Sequence, residues 1–503
     1  MKRTKLYQLL YLCLITLLNF SCAKDEGNYS YTVLDKVSFP EEKSDTTIFI
    51  QQGKALTLSP EVVYNGDAND LSYEWFVYLN SASASYVQDS TLIAKTKSLN
   101  YTVSPDIFVL GENYKLTYKV TNSKTGLAVF RFYQLAVQDL FTQGWIFLED
   151  CNGKADLSMI LRNGTLYHDI YSGRNANYPI ANPKSFSVSP QSISDGVAQD
   201  GKKFYIVGAS DAIELDGNTM KKRFDYAYLF FQAPATIKPE YIAWGGAGGN
   251  NLGLLINDGK LYPNMVGGFP GAKKFGAEMK SSTHEYTYNL AAQHISGANY
   301  SDTYNVFVFD RLNRCFYAVT SSNLNAFDAA SQNTALFDMN NVGMDLIKLD
   351  SSNVSTVRNA IMRTTDGSEA YLLQFRTTRT AAEPTINVAK QHLNAPGLIK
   401  ATDLSCSTLS PHIFYVADAK LYRYEVTSNS YTVEYQLPTN ETVSKMKFER
   451  HGYGQGLPRL IVATWNGTEG KVYYFKVSPT GTIQSLDKTF TGFGRIIDLA
   501  YKY

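Results

Sequence analysis

Two tryptophans stand beside glycine-containing connections, and they are the first candidates to hold a sugar or peptide ligand. Trp244 precedes Gly245-Gly246-Ala247-Gly248-Gly249-Asn250-Asn251, the densest glycine cluster, and Trp465 precedes Asn466-Gly467. An indole face beside glycine-rich backbone can stack on a sugar ring or a peptide, and an amide such as Asn250 supplies hydrogen bonds. A polar, aromatic stretch, Asn299, Tyr300, Asp302 and Tyr304, offers the same chemistry just before a strand that starts at Val306. The expected ligand contacts are therefore Trp244, Asn250, Tyr300, Tyr304 and Trp465. The competing reading of each is structural: glycine loops that join strands, and aromatic rings packed into cores.

No linear motif commits these residues to a reaction. The histidines, His168, His284, His294, His392, His412 and His451, are isolated, and none sits in His-Glu-x-x-His or a comparable ligand spacing. A Gly-x-Ser-x-Gly elbow, a P-loop, an EF-hand loop and the Ser-x-Asp-x-Gly-x-x-Trp boxes of sialidase-like propellers are all missing. A strand, Leu252–Asn257, follows the glycine cluster where a phosphate cradle needs a helix. No catalytic residue, metal site or cofactor is expected. Scattered carboxylates leave a glycosidase pair open, because separation in space defines such a pair. Lys and Arg (47) almost cancel Asp and Glu (46), and a net charge of +1 argues against a nucleic-acid partner. The cysteines Cys13, Cys22, Cys151, Cys315 and Cys406 lie far apart, without a Cys-x-x-Cys pair. Buried free thiols are expected for the last three, with a disulfide among them as the alternative.

The elements that position these residues must be strands. Tyr (36) and Phe (27) are abundant, and no long apolar stripe has helical period. Leu255-Ile256-Asn257-Asp258-Gly259-Lys260-Leu261-Tyr262 reads as strand, tight turn, strand. Similar hairpins recur along the last two thirds of the chain. Markers at Tyr167, Ile213, Tyr262, Tyr317, Tyr371, Tyr422 and Tyr473 span six intervals with a mean of 51 residues. Units of about 40–50 residues with four short strands are propeller blades, so residues 139–503 are expected to form a β-propeller, most simply with seven blades. Closure requires that the C-terminal strand, Gly494 to Tyr501, join the strand opening at Gly144-Trp145-Ile146.

Residues 31–138 read as a separate module. Thr47–Ile50, Ala55–Leu58, Leu71–Val77, Tyr114–Val120 and Ala128–Val137 alternate apolar and polar residues. With Trp75 on an early central strand, an Ig-like β-sandwich with Trp75 in its core is expected. The fold class is thus all-β: an N-terminal Ig-like β-sandwich followed by a β-propeller.

Residues 1–21 have the layout of a secretory leader. Lys2, Arg3 and Lys5 precede the apolar run Leu9 to Leu18, too short to span a bilayer, and no other segment is apolar enough to cross one. Asn19-Phe20-Ser21-Cys22 resembles a bacterial lipoprotein signal, which implies lipidation at Cys22. Residues 22–30 would then be anchor and linker, and Ala23-Lys24-Asp25-Glu26 is similar to the export signal of surface lipoproteins in Bacteroidota. Gly27-Asn28-Tyr29-Ser30-Tyr31 after that Cys, then Tyr73-Glu74-Trp75, then Tyr114-x-Leu-x-Tyr-x-Val-Thr-Asn, resembles the PKD-like lipoprotein family of Bacteroidota. The Trp-Asp-Phe-Gly-Asp-Gly motif of typical PKD domains is absent. The resemblance implies an outer-membrane protein, lipid-anchored and facing the cell exterior. It further implies a non-catalytic binding or accessory role in a SusC/SusD-type nutrient uptake system, with a glycan or peptide ligand. A surface propeller enzyme acting on glycan, or a structural subunit of the transporter complex without its own ligand, are the alternatives.

Overall fold

Hairpin chemistry sets the architecture of the second unit. Asp258 (φ 50°) and Gly259 (φ 72°) adopt the left-handed conformations of a two-residue turn, so Asn257 pairs with Lys260 and Leu255 with Tyr262. Asn152-Gly153 makes the corresponding turn in the first blade, and Asp418-Ala419 in the sixth. The computed structural model describes residues 35–40, 47–80, 89–109, 112–138, 141, 143–189, 202–246, 252–265, 274–297, 302–320, 322–332, 335–380, 385–449 and 458–502. The leader, Cys22, Asn250 and Tyr300 lie outside these residues.

The chain divides after Gln138. In the first unit a five-stranded sheet has the order Ile48–Gln51, Ala128–Gln138, Asn113–Asn122, Leu71–Leu79, Thr91–Ala94, and Ala55–Leu58 pairs separately with Leu99–Thr102. Along Asn113–Asn122 the side chains of Tyr114, Leu116, Tyr118 and Val120 all turn into the core. Trp75 is fully buried, stacks on Tyr118 at 4.2 Å between ring centroids, and donates its indole N–H to the Thr96 carbonyl (2.8 Å). The Asn122 side chain accepts from the backbone of Lys124 and Thr125, and Gly126 (φ 72°) completes the turn into the last strand.

The second unit contains seven sheets among the described residues. Their innermost strands are, in order around the ring, Arg495–Lys502, Ser185–Val188, Pro239–Gly245, Leu290–Ser296, Asp345–Ser351, Leu404–Cys406 and Thr442–Phe448. Each packs beside the next, and the last packs beside the first, so the array closes as a seven-bladed propeller. One marker was out of register. Ile213, Tyr262, Tyr317, Tyr371, Tyr422 and Tyr473 all lie on third strands, but Tyr167 lies on the outermost strand of the first blade, Leu166–Tyr167. Asn163-Gly164 turns between that blade's third and fourth strands. The first blade takes its innermost strand from the C-terminus, which shifts its hairpins by one. Cys151, Cys315 and Cys406 are free thiols, the last two buried.

The C-terminal strand, Arg495–Lys502, pairs antiparallel with Gly144–Cys151 and buries Ile496, Leu499 and Tyr501. Each such side chain is worth about 1.5–3 kcal/mol, so the three together approach the ~5–15 kcal/mol stability of a whole domain. Deleting Gly494 to Tyr503 is expected to abolish or strongly lower the propeller's thermal transition; an unchanged melting curve would contradict the closure.

Glu149 marks the same seam. It is buried and accepts a hydrogen bond from the Gly494 backbone N–H (2.5 Å). Burial outweighs that bond and the one from Ser158, and the Asp156 and Asp169 carboxylates add repulsion, so its carboxyl is pushed up to about 7. The folded chain therefore holds this proton more tightly than the unfolded chain. The resulting stability is complete below the ordinary value of 4.5 and is lost as pH rises through about 7. Glu149→Gln should stabilise the protein at pH 8, by up to about 3 kcal/mol, and leave it little changed at pH 4.5. Urea unfolding at the two pH values checks this, and equal effects at both would refute it.

Candidate functional site

The innermost strand of a blade is an edge strand: one side pairs within its sheet and the other faces the channel with backbone groups unpaired. Side chains of neighbouring blades answer several of those groups, and side-chain pairs complete the links around the ring. The Phe186 N–H donates to Asp498 Oδ2 (3.0 Å), and Ser187 Oγ donates to the Ile242 carbonyl (2.6 Å). Tyr241 meets His294 Nδ1 through its hydroxyl (2.9 Å). Gln293 accepts from the Leu349 N–H (3.0 Å) and donates to the Ile347 carbonyl (3.3 Å). Asp350 Oδ2 accepts from the Cys406 N–H (2.9 Å) and from Ser405 Oγ (3.2 Å). Asp403 Oδ2 accepts from the Met446 N–H (3.0 Å), and Ser405 Oγ from the Phe448 N–H (2.9 Å). Lys445 Nζ, 3.6 Å from Asp498 Oδ1, returns the ring to the first blade.

At one end of this ring the strands open into a cavity of about 410 Å³, walled by Trp145, Tyr241, Trp244, His294, Asp350 and Arg358 among others. Arg358 is nearly buried and aimed by three carbonyls: its Nε donates to Ser296 (2.7 Å), and its Nη1 to Ser355 (2.7 Å) and Val357 (2.9 Å). Desolvation by its neighbours, with the Asp498 carboxylate adding, raises the pKa of the half-buried Tyr241 above its ordinary range. Its hydroxyl is fixed by the hydrogen bond with His294. Trp145 packs edge-on against Tyr501, also in the wall, at 5.2 Å.

One layer deeper, Lys348 and Asp403 form an ion pair at 2.5 Å. Burial pulls the Lys348 ammonium down, but Asp403 more than offsets it, with Asp350 and Asp498 adding to the pull, and the pKa ends raised. Burial likewise pushes Asp403 up, and Lys348 and Lys445 together hold it below the usual carboxylate range. Both directions describe one charged pair. A second cavity, of about 770 Å³, lies at the opposite end of the fifth to seventh blades, against Gly367, Lys400, Asp418 and Glu441. Glu441 is already taken by Lys471 (2.8 Å), Thr464 (2.7 Å) and Tyr473 (2.8 Å). The channel cavity, with its aromatic walls, is the better ligand site.

The expected ligand residues do not converge. Trp244 lines the channel cavity but is 7% exposed, and its ring also packs toward Tyr205 and Phe275. Tyr304 is half-buried on Phe307 and Phe327, at the junction of the fourth and fifth blades, away from the cavity. Trp465 is half-buried and pairs with Thr442 and Gly470; because Thr442 begins its strand and Phe448 ends it in the cavity wall, Trp465 lies at the far end of the seventh blade. Sequence reasoning missed Trp145, Tyr241, His294, Asp350 and Arg358. A usable signal existed: Ser187, Tyr241, Gln293, Asp350, Asp403, Lys445 and Asp498 place a polar residue at intervals of 42 to 57 on each innermost or adjoining segment. Among the described residues one group of three His, Cys, Asp or Glu side chains converges closely enough to ligate an ion, His284, Asp310 and Cys315, in the fourth blade.

A model of the PKD-like family matches residues 22–182, less than half of the chain. No curated protein matches the sequence. Among solved structures, the chain is similar to a quinonprotein alcohol dehydrogenase-like protein from Bacteroides thetaiotaomicron, at 12% identity and a TM-score of 0.42, over 94% of this chain and 100% of that one. It is also similar to a protein from Lactobacillus plantarum, at 14% identity and a TM-score of 0.43, over 71% and 99% of the two chains. The β-propeller domain of Nup133 from Vanderwaltozyma polyspora matches at 10% identity and a TM-score of 0.36, over 62% and 92%. None of these likenesses transfers an activity.

Asp403→Asn would strand the Lys348 ammonium inside the channel, and removing one partner of a buried pair costs about 3–5 kcal/mol. The lowered pKa of Asp403 means its contribution is present above the ordinary carboxylate value and is lost as pH falls through the folded one. Chemical denaturation of both proteins should therefore show a large gap at pH 7 that narrows in acid. A gap that is small at pH 7, or that grows in acid, would rule out the pair.

Proposed function

We propose that the protein is a lipid-anchored, outer-membrane surface component of a SusC/SusD-type uptake system that binds a glycan or peptide in its propeller channel without turning it over. One observation carries this reading: the channel cavity joins the aromatic side chains of Trp145 and Trp244, each largely buried, and of half-buried Tyr241 to fixed polar groups, Ser187, Ser296 and Arg358. Stacking surfaces with a few oriented hydrogen-bonding groups suit a sugar ring or an extended peptide. Binding is favoured over turnover because the channel carboxylates Asp350, Asp403 and Asp498 are already committed to backbone N–H groups. The leader pattern with Cys22 supports the anchor. No helix among the described residues is long and apolar enough to cross a membrane.

The test is a glycan array and a peptide pool probed with the mature chain, made without its lipid. A ligand found there should bind at least tenfold more weakly to the Trp145→Ala protein, a loss of about 1.4 kcal/mol. Ala243→Leu, which puts a larger side chain into the cavity wall, should block it with the fold intact by circular dichroism. Trp465→Ala, at the far end of its blade, should leave affinity unchanged. Affinity that survives Ala243→Leu would place the ligand outside the channel, and turnover of the ligand would make the protein an enzyme.

A further inference from the structure

The fourth blade gathers a different chemistry at its second turn. Asp310 ends the strand Val306–Asp310, Cys315 begins Cys315–Val319, and the two are direct cross-strand partners, so their side chains share one face. Tyr317 follows Cys315 by two residues on that face. His284, from the connection after Lys280–Ser281, lies over it with Nδ1 2.6 Å from the Tyr317 hydroxyl. One ligand atom from each of His284, Asp310 and Cys315 lies within 4.8 Å of the others.

We propose that His284, Asp310 and Cys315 bind a divalent cation of the zinc class, with the Tyr317 hydroxyl or a water as fourth ligand. The donor set decides the class. One imidazole nitrogen, one sulfur and one carboxylate oxygen suit Zn²⁺, whereas Mg²⁺ and Ca²⁺ take oxygen cages. The two oxygens of Asp310 are used differently. Oδ1 accepts from the backbone of Asn289 (2.9 Å), Leu312 (2.9 Å) and Asn313 (3.4 Å), which fixes the carboxylate in its turn. Oδ2 accepts from the Asn313 side-chain amide (2.6 Å) and keeps a lone pair for a metal. Asp310 and Cys315 are held rigidly in the core, while His284 is half-buried on a connecting segment. His284 therefore supplies the small inward movement that metal bonds of about 2.0–2.3 Å require.

Binding exchanges a proton for the ion. The Cys315 S–H bond breaks, a sulfur–metal bond forms, and the proton leaves to solvent. The thiolate and the Asp310 carboxylate then balance the two positive charges of the cation. A thiol that binds the ion as thiolate gives up its proton, so uptake is accompanied by proton release. The ion would pin the His284 connection to the hairpin core.

The experiment titrates the mature, untagged, chelator-treated chain with Co²⁺ and then Zn²⁺, following absorbance and proton release. The expected result is one equivalent of Co²⁺ with a thiolate-to-cobalt charge-transfer band, one proton released, and bleaching of the band by Zn²⁺. Cys315→Ser should remove the band. His284→Gln, a half-buried change that the hairpin core does not need, should weaken binding at least tenfold. Cys151→Ser should leave both unchanged. No band in the unaltered protein, a band that survives Cys315→Ser or disappears with Cys151→Ser, or an affinity unchanged by His284→Gln would each overturn the site.

Discussion

Everything in the propeller depends on satisfying the inner edges of its blades. Seven short strands converge on one channel, and each arrives with a row of unpaired N–H and C=O groups on the side away from its own sheet. Left buried and unmet, such groups cost about 1–3 kcal/mol apiece. The chain meets them with side chains from the next blade, not with more backbone. Asp350, Asp403 and Asp498 accept N–H bonds as carboxylates, Ser405 accepts one through its hydroxyl, and Gln293 does both jobs at once. Charge then has to be balanced in a confined space, which accounts for Lys348 against Asp403 and Lys445 against Asp498.

That constraint changes the meaning of polar residues in the channel. Acidic groups clustered at the axis of a propeller invite an enzymatic reading, since pairs of carboxylates perform acid–base chemistry. Here the pKa of Asp403 is held low, the wrong direction for a general acid at neutral pH. Beside the ring's own bonds, which include the Arg358 guanidinium on the Ser296 carbonyl of the neighbouring blade, the cavity offers the aromatic side chains of Trp145 and Trp244. A ligand site of this kind is rigid because structural necessity has already immobilised its walls.

The sequence was informative where the physics is local. Turn residues with positive φ, such as Asp258-Gly259, and period-two alternation in Tyr114–Val120 depend on neighbours along the chain. They indicated the sandwich and the repeat length, and the pairing of the C-terminal strand with Gly144–Cys151 followed from the need of such an array to close. Trp75 was legible as core for the same reason. The channel cavity was not, because it is assembled from residues about 50 apart that share only a radius. Trp244 and Trp465 have similar neighbours in sequence, a turn and a glycine, but one sits on an innermost strand and the other on a second strand at the opposite end. Proximity to a glycine turn therefore says little about which end of a blade a side chain occupies. The misplaced Tyr167 has another cause: a blade built from both chain ends breaks the repeat exactly where the counting starts, a non-local fact.

Closure and the proposed ligand site also share residues. Asp498 joins the seventh blade through Lys445 and the second through the Phe186 N–H, and the segment Asp498 to Tyr501 forms part of the cavity wall. The same strand completes the first sheet against Gly144–Cys151, where Trp145 contributes to the wall from the other side. A molecule seated in the cavity would touch both halves of the seam. Whatever binds only the closed ring adds its binding free energy to closure, so occupancy and ring integrity are linked in both directions. The first blade is the one whose two parts are far apart in the chain, so a ligand held in the channel against both parts would bear directly on their association.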